Sequence, residues 1–144
     1  MSKLEEQLAE HEGFKPFAYQ DSLGYWTIGY GRLIDKAKGG GISTSEALYL
    51  LRNDIARHSV ALIEALPWVV TLDETRRNVL TDMAFNLGIP GLLNFRNTLA
   101  AVKRGDYQAA ASGMRNSKWA EQVGNRAERL ARAMETGTMP KKWW

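Results

Sequence analysis

Residues 14–34 limit the possible folds of this chain more than any other stretch, because here alone β-forming residues gather around a turn. Phe17 to Gln20 and Tyr25 to Gly31 are rich in aromatic and β-branched residues, and Asp21-Ser22-Leu23-Gly24 between them has the composition of a hairpin turn. Strand periodicity puts Tyr25, Thr27, Gly29 and Gly31 on one face and Trp26, Ile28 and Tyr30 on the other. The second set is expected to face a core. The first leaves a hydroxyl beside two glycines, an open face against which something can lie.

Just before the hairpin, SKLEEQLAEH has the pattern of a short amphipathic helix, with Leu4 and Leu8 one turn apart. Glu12 falls four residues further along the same apolar stripe, and Gly13 is a natural helix terminator. A carboxylate in that place is expected to be partly desolvated and close to the negative end of a helix dipole. Both effects disfavour the anion, which is how a general acid is made. An acid at a helix end, Asp21 in a turn and the Thr27 hydroxyl on the next strand together suggest glycoside hydrolysis. That chemistry needs one group to protonate the leaving oxygen and another to act as base or nucleophile at the sugar carbon.

The remainder reads as helix. Leu33 and Ile34 suggest a short third strand, and Lys36 to Gly41 a loop ending in three glycines that can serve as a hinge. Ser43 is placed as an N-cap, with Glu46 completing a capping box and Ile42 as a hydrophobic staple. Apolar residues then keep helical spacing as far as Pro67. Asp73 or Thr71 is expected to cap a helix that stops at Gly88, followed by a turn at Pro90-Gly91. Further helices are expected over Leu92 to Arg104, from Asp106 through Met114, near residues 117–122, and over Arg126 to Glu135 with Gly137 as the stop. The expected class is therefore α+β and predominantly helical. The expected layout is one small antiparallel sheet, within 14–42, followed by a cluster of helices.

Composition removes several alternatives. With no cysteine among 144 residues there is no disulfide and no thiolate metal site. His11 and His58, the only histidines, are too few and too far apart for a metal centre, and no phosphate loop or serine nucleophile signature is present. No cofactor is expected. Charges at Lys3, Glu5, Glu6 and Glu10 interrupt any signal-peptide core, and no segment approaches membrane-spanning length. Up to residue 95 there are 9 Lys or Arg against 12 Asp or Glu, and thereafter 10 against 4. A basic C-terminal part suggests an anionic polymer as partner.

The residues already singled out also carry a family resemblance. Glu12-Gly13, the spacing to Asp21, and Gly24-Tyr25-x-Thr27-Ile28-Gly29-x-Gly31 are similar to the phage-type lysozymes, glycoside hydrolase family 24. The likeness resumes at Ile42 to Ala47, Phe85-Asn86-x-Gly88, Gly91 to Leu99, Ser117-Lys118-Trp119, Asn125-Arg126-Ala127 and Thr136-Gly137-Thr138, so it covers nearly the whole chain. It implies a lysozyme-like fold, with a sheet lobe at 14–42 joined by a connecting helix at 43–66 to a helical lobe made of 1–13 and 67–144, in which Glu12 protonates the glycosidic oxygen while Asp21 and Thr27 position and activate water on the opposite sugar face. That inverting arrangement requires carboxyls roughly 6.5 to 9.5 Å apart. The resemblance also implies saccharide contacts from Leu33, Phe85 and Thr98, and an Arg126 close to the acid, where a cation opposes the effect of burial. Two departures bear on substrate preference: Arg32 replaces a histidine and Gly113 a cleft asparagine.

What the resemblance implies is an endolysin cleaving β-1,4 bonds between N-acetylmuramic acid and N-acetylglucosamine in bacterial peptidoglycan. It would be a monomer, held in the host cytoplasm until a holin releases it to the wall, without stable membrane insertion and without a nucleic-acid partner. The alternatives are a lytic transglycosylase, which has no need of Asp21 and Thr27, and a wall-binding protein without catalysis.

Overall fold

The structure, a computed structural model, describes all 144 residues. It contains seven α-helices and one three-stranded antiparallel sheet. Contacts divide the chain into two compact units, Met1–Leu50 and Leu51–Trp144.

The first unit opens with α1 (Lys3–Glu12), whose start is fixed by a full capping box. The Ser2 hydroxyl accepts the Glu5 amide, and the Glu5 carboxylate accepts the Ser2 amide. Strands β1 (Lys15–Gln20), β2 (Trp26–Gly29) and β3 (Arg32–Leu33) follow in meander order. Gln20 faces Trp26 and Tyr19 faces Thr27, while an irregularity between Lys15 and Tyr19 bends the edge strand. A single 3₁₀ turn at Lys36–Lys38, capped by Asp35, leads to the glycines. They are not a free hinge. The Gly40 and Gly41 amides donate to the Asp35 and Leu33 carbonyls at 2.8 and 3.0 Å, which fastens the loop to β3. Helix α2 (Thr44–Ala65) starts with the expected box: the Ser43 hydroxyl accepts the Glu46 amide, and Glu46 accepts the Ser43 amide.

The expected assignment of strand faces is reversed. Trp26 and Tyr30 are 47% and 55% exposed, whereas Thr27 is the one buried residue of the first unit at 5%. The reason is that the unit has no apolar core for a large aromatic face to join. Burial falls instead on the small side chain of the central strand, enclosed between β1 and β3. The expected apolar stripe of α1 is likewise uncovered, with Leu4 at 60% and Leu8 at 46% exposure.

The second unit holds the core. After a 3₁₀ turn at Pro67–Thr71 come α3 (Glu74–Leu93), α4 (Arg96–Lys103), α5 (Tyr107–Arg115), α6 (Lys118–Val123) and α7 (Asn125–Thr136). Asp73, Asp106 and Ser117 each accept a first-turn amide as N-caps. Gly88, at φ 74° and ψ 164°, breaks α3 where the sequence predicts a stop, and the segment after it adds a further short helical stretch. Helix α4 begins four residues later than expected because Phe95 leaves helical geometry. Leu62, Leu80, Met83, Leu92, Met114 and Met134 are almost wholly enclosed, with Trp119 donating its indole N–H to Asn86 at 2.8 Å.

Arg76 closes this core at the end of α7. Its Nε and Nη2 donate to the Met134 and Glu135 carbonyls at 2.7 and 3.0 Å, groups that a helix C-terminus leaves without partners. Its guanidinium stacks 3.6 Å from the centre of the Tyr107 ring. Arg76→Ala is expected to lower unfolding free energy by about 2–4 kcal/mol, from the lost charged hydrogen bonds and the stacking together. Urea denaturation checks this, with the midpoint falling and the slope unchanged.

Candidate active site

Glu12 is placed by the backbone that follows it. The Gly13 amide closes α1 on the Ala9 carbonyl at 2.9 Å, and Gly13 then adopts φ 71° and ψ 157°. This lies outside the left-handed helical cap expected and in a region that glycine alone occupies without strain. The chain turns sharply into β1, and the Glu12 side chain comes to rest against Gly31 in the β2–β3 connection. A Cβ added at Gly31 would lie 2.6 Å from Glu12 Oε2 and 2.8 Å from its carboxyl carbon. Gly31 also has φ +74°. The positive φ disfavours a side chain there, and one added at that position would push the Glu12 carboxyl aside. The glycine face expected to be open is half filled: Gly29 has nothing near it, while Gly31 carries the carboxyl. Glu12 is exposed, and α1 buries none of its residues.

Asp21 organises the hairpin turn. Its Oδ1 accepts the Leu23 and Tyr25 amides, both at 2.9 Å, and its main chain bonds to Tyr25 and Gly24. Oδ2 receives no protein donor, so one carboxylate oxygen builds the turn and the other is available. Thr27 is paired with Tyr19 on one side and Leu33 on the other. Its hydroxyl donates to the Tyr25 carbonyl at 3.0 Å. With its only proton committed, Oγ1 can act toward a further partner only as an acceptor. Asp21 and Thr27 thus both converge on Tyr25, which fixes them within one short segment.

Leu33 is half-buried beside Thr27 in this same unit. In the second unit, Phe85 is 39% exposed with its ring 4.9 Å from that of His58. Phe85 and Arg126 line a cavity of about 530 Å³ together with Leu51, Ile55 and Thr81. Arg126 donates through Nε and Nη2 to Asp82 Oδ1 at 3.1 and 2.7 Å. No local pattern announces a partner 44 positions away. Thr98 is 5% exposed, at the contact of α4 with α5, where a Cβ at Gly113 would lie 2.3 Å from its hydroxyl oxygen. Buried in this way it offers no surface to a saccharide, contrary to expectation. The same proximity accounts for Gly113, since a larger side chain there would meet Thr98 unless its hydroxyl turned away.

Arg32, the other departure, has a defined role. It pairs with Glu46 in the first turn of α2 and donates to the Gly41 carbonyl at 3.3 Å. Glu46 thus serves both as capping residue and as anchor for β3, the strand that follows Gly31. The Arg32 hydrogen bond, aided by the Ser43 amide, holds the Glu46 carboxyl down to about 2.

A small sheet carrying a carboxylate turn and a strand hydroxyl, with a helix-end glutamate laid on its last connection, defines a lysozyme-like α+β protein. The comparisons agree. A family model described as phage lysozyme matches residues 9–135. Probable T4-type lysozyme 1 of Dictyostelium discoideum is 29% identical, over 96% of this chain and 97% of that protein. The pre-baseplate central spike protein Gp5 of Enterobacteria phage T4 is 29% identical over 94% of this chain but only 28% of its own length. An endolysin of Acyrthosiphon pisum secondary endosymbiont phage 1 is 28% identical over 79% of this chain and 75% of its own. The chain belongs to the phage lysozyme family and is a glycoside hydrolase.

Two outcomes follow from this geometry. Gly31→Ala is expected to cost about 1–3 kcal/mol from backbone strain alone and to displace the Glu12 carboxyl; urea unfolding and the Glu12 side-chain NMR shifts report the two effects separately. Because the folded-state Glu46 carboxyl lies below its ordinary 4.5, its pairing stabilises the fold above that value and is lost as pH falls through about 2. Carbon-detected titration of Glu46 should give a midpoint near 2, moving toward 4.5 in Arg32→Ala.

Proposed function

We propose that the protein is a muramidase that hydrolyses the β-1,4 bond between N-acetylmuramic acid and N-acetylglucosamine in bacterial peptidoglycan, serving as a phage endolysin. The observation that carries this reading is the seating of Glu12 against Gly31, on the same small sheet that holds Asp21 and Thr27. Membership of the lysozyme family supports it, as does the name peptidoglycan hydrolase borne by gp36 of Pseudomonas phage phiKMV, 31% identical over 89% of this chain but only 14% of its own length.

In the mechanism proposed, Glu12 gives its proton to the glycosidic oxygen as the bond from that oxygen to the muramic C1 breaks. A water on the opposite face donates one hydrogen to Thr27 Oγ1 and transfers its other proton to the free Oδ2 of Asp21. Its lone pair is then directed at C1, and the new C1–O bond forms with inversion. The products are a reducing N-acetylmuramic acid end and a free 4-hydroxyl on N-acetylglucosamine. Solvent returns the proton from Asp21 to Glu12. The commitment of the Thr27 proton to Tyr25 suits this role, since the hydroxyl must accept from the water and not donate to it.

In this reading Leu33 and Phe85 contact saccharide, and Arg126 acts on the acid while held by Asp82. The protein works as a monomer and stays in the host cytoplasm until a holin admits it to the wall. No helix is long and apolar enough to cross a membrane.

Glu12→Gln should lower the rate of turbidity loss of purified peptidoglycan by about 10²–10⁴-fold with the circular dichroism spectrum unchanged. Lysis at the wild-type rate in that variant would discard the assignment. Mass spectrometry of wild-type products should find reducing ends; anhydro-muropeptides would mean a transglycosylase.

A further inference from the structure

The last five residues of the chain, Pro140 to Trp144, fold back on α7 and complete a second concavity. Arg129 Nε donates to the Pro140 carbonyl at 2.8 Å, and Trp143 stacks on Arg132 with the guanidinium 4.4 Å from its ring centre. These contacts leave Trp144 and Lys142 beside Arg126, Arg129, Leu130 and Met139, around a cavity of about 450 Å³. Its charges are unequal. Asp82 in the wall is neutralised by Arg126, whereas Arg129 and Lys142 take part in no ion pair. The Lys142 ammonium instead lies 5.1 Å from the Trp144 ring centre. Two cations outside any ion pair therefore line a hollow together with Leu130, Met139 and the Trp144 indole.

We propose that this cavity binds the free carboxylate end of a short peptide of the cell wall through Arg129 and Lys142, neither of which takes part in the proposed cleavage, although Arg126 also lines it. The inference rests on the peptidoglycan reading above. Three features favour a peptide end. The η nitrogens of Arg129, with Nε occupied by Pro140, remain to grip a carboxylate, and Lys142 supplies a second charge. The apolar lining matches small alkyl side chains such as those of alanine and is poorly matched to the hydroxyl-rich backbone of a polyol phosphate polymer. A hollow of this volume accepts the end of a chain more readily than the middle of a continuous polymer. The excess of basic residues after position 95 draws an acidic wall toward this region.

The test uses the full-length Glu12→Gln protein and a synthetic wall pentapeptide ending in D-alanyl-D-alanine, followed through the indole N–H signal of Trp144 by NMR. The free acid should shift that signal in a saturable way. The C-terminal amide of the same peptide should bind at least tenfold more weakly, and Lys142→Glu should reduce binding of the acid by a similar factor. Lys142→Arg should restore it. Equal binding of acid and amide, or unaltered binding in Lys142→Glu, overturns the proposal, and so does tighter binding by a glycerol phosphate oligomer. Lysis by the wild-type protein is scored in parallel. Lysis without peptide binding rejects this site alone, whereas absence of lysis rejects the catalytic reading whatever the peptide does.

Discussion

The contact between the Glu12 carboxyl and the backbone at Gly31 is the constraint on which the candidate site depends. It joins a helix end to a strand connection, and in its present geometry it leaves no room for a Cβ at Gly31. Three backbone choices serve it. Gly13 takes a conformation closed to other residues and turns the chain off α1. Gly31 takes a positive φ that shapes the β2–β3 connection. Arg32, next in sequence, ties the strand beyond to Glu46 and Gly41. The acid is thus seated by main-chain geometry and one surface ion pair, not by burial in a hydrophobic pocket.

The two units solve the problem of stability differently. Leu51–Trp144 follows the ordinary route, with leucines and methionines enclosed among short capped helices and Arg76 satisfying the carbonyls at the end of α7. Met1–Leu50 encloses little besides Thr27, and its order comes from local hydrogen bonds: two capping boxes, the Asp21 turn, the Asp35 turn and the glycine loop fastened to β3. A structure built this way can present polar groups to solvent without leaving them unsatisfied. That suits a surface on which carboxylates must meet a sugar. The arrangement also gives Asp21 a double task, since one oxygen makes the turn while the other stays available.

Much of this was legible in the residues. The hairpin, the Ser43–Glu46 capping box, the breaks at Gly88 and Gly137 and the α+β class all follow from short-range rules, because each depends on neighbours within about four positions. The family likeness rests on the same local runs. What sequence reading misplaced was burial. Trp26 and Tyr30 look like core by composition, but hydrophobicity says only that a side chain gains from being covered, not that anything is there to cover it. Thr98 appeared to be a surface contact and is instead locked against Gly113, a pairing between two helices that neither residue signals alone.

By itself, then, the sequence determined the order of elements and several of their caps, and it singled out the candidate acid, base and hydroxyl, because these readings rest on local backbone preference and side-chain chemistry. Only the tertiary structure decided that Glu12 lies on Gly31, that Arg126 is held by Asp82, that Arg32 anchors on Glu46, and that Trp144 lines a hollow with Arg129 and Lys142. Each of these joins residues whose meeting depends on how whole elements turn and pack, and no local rule encodes that.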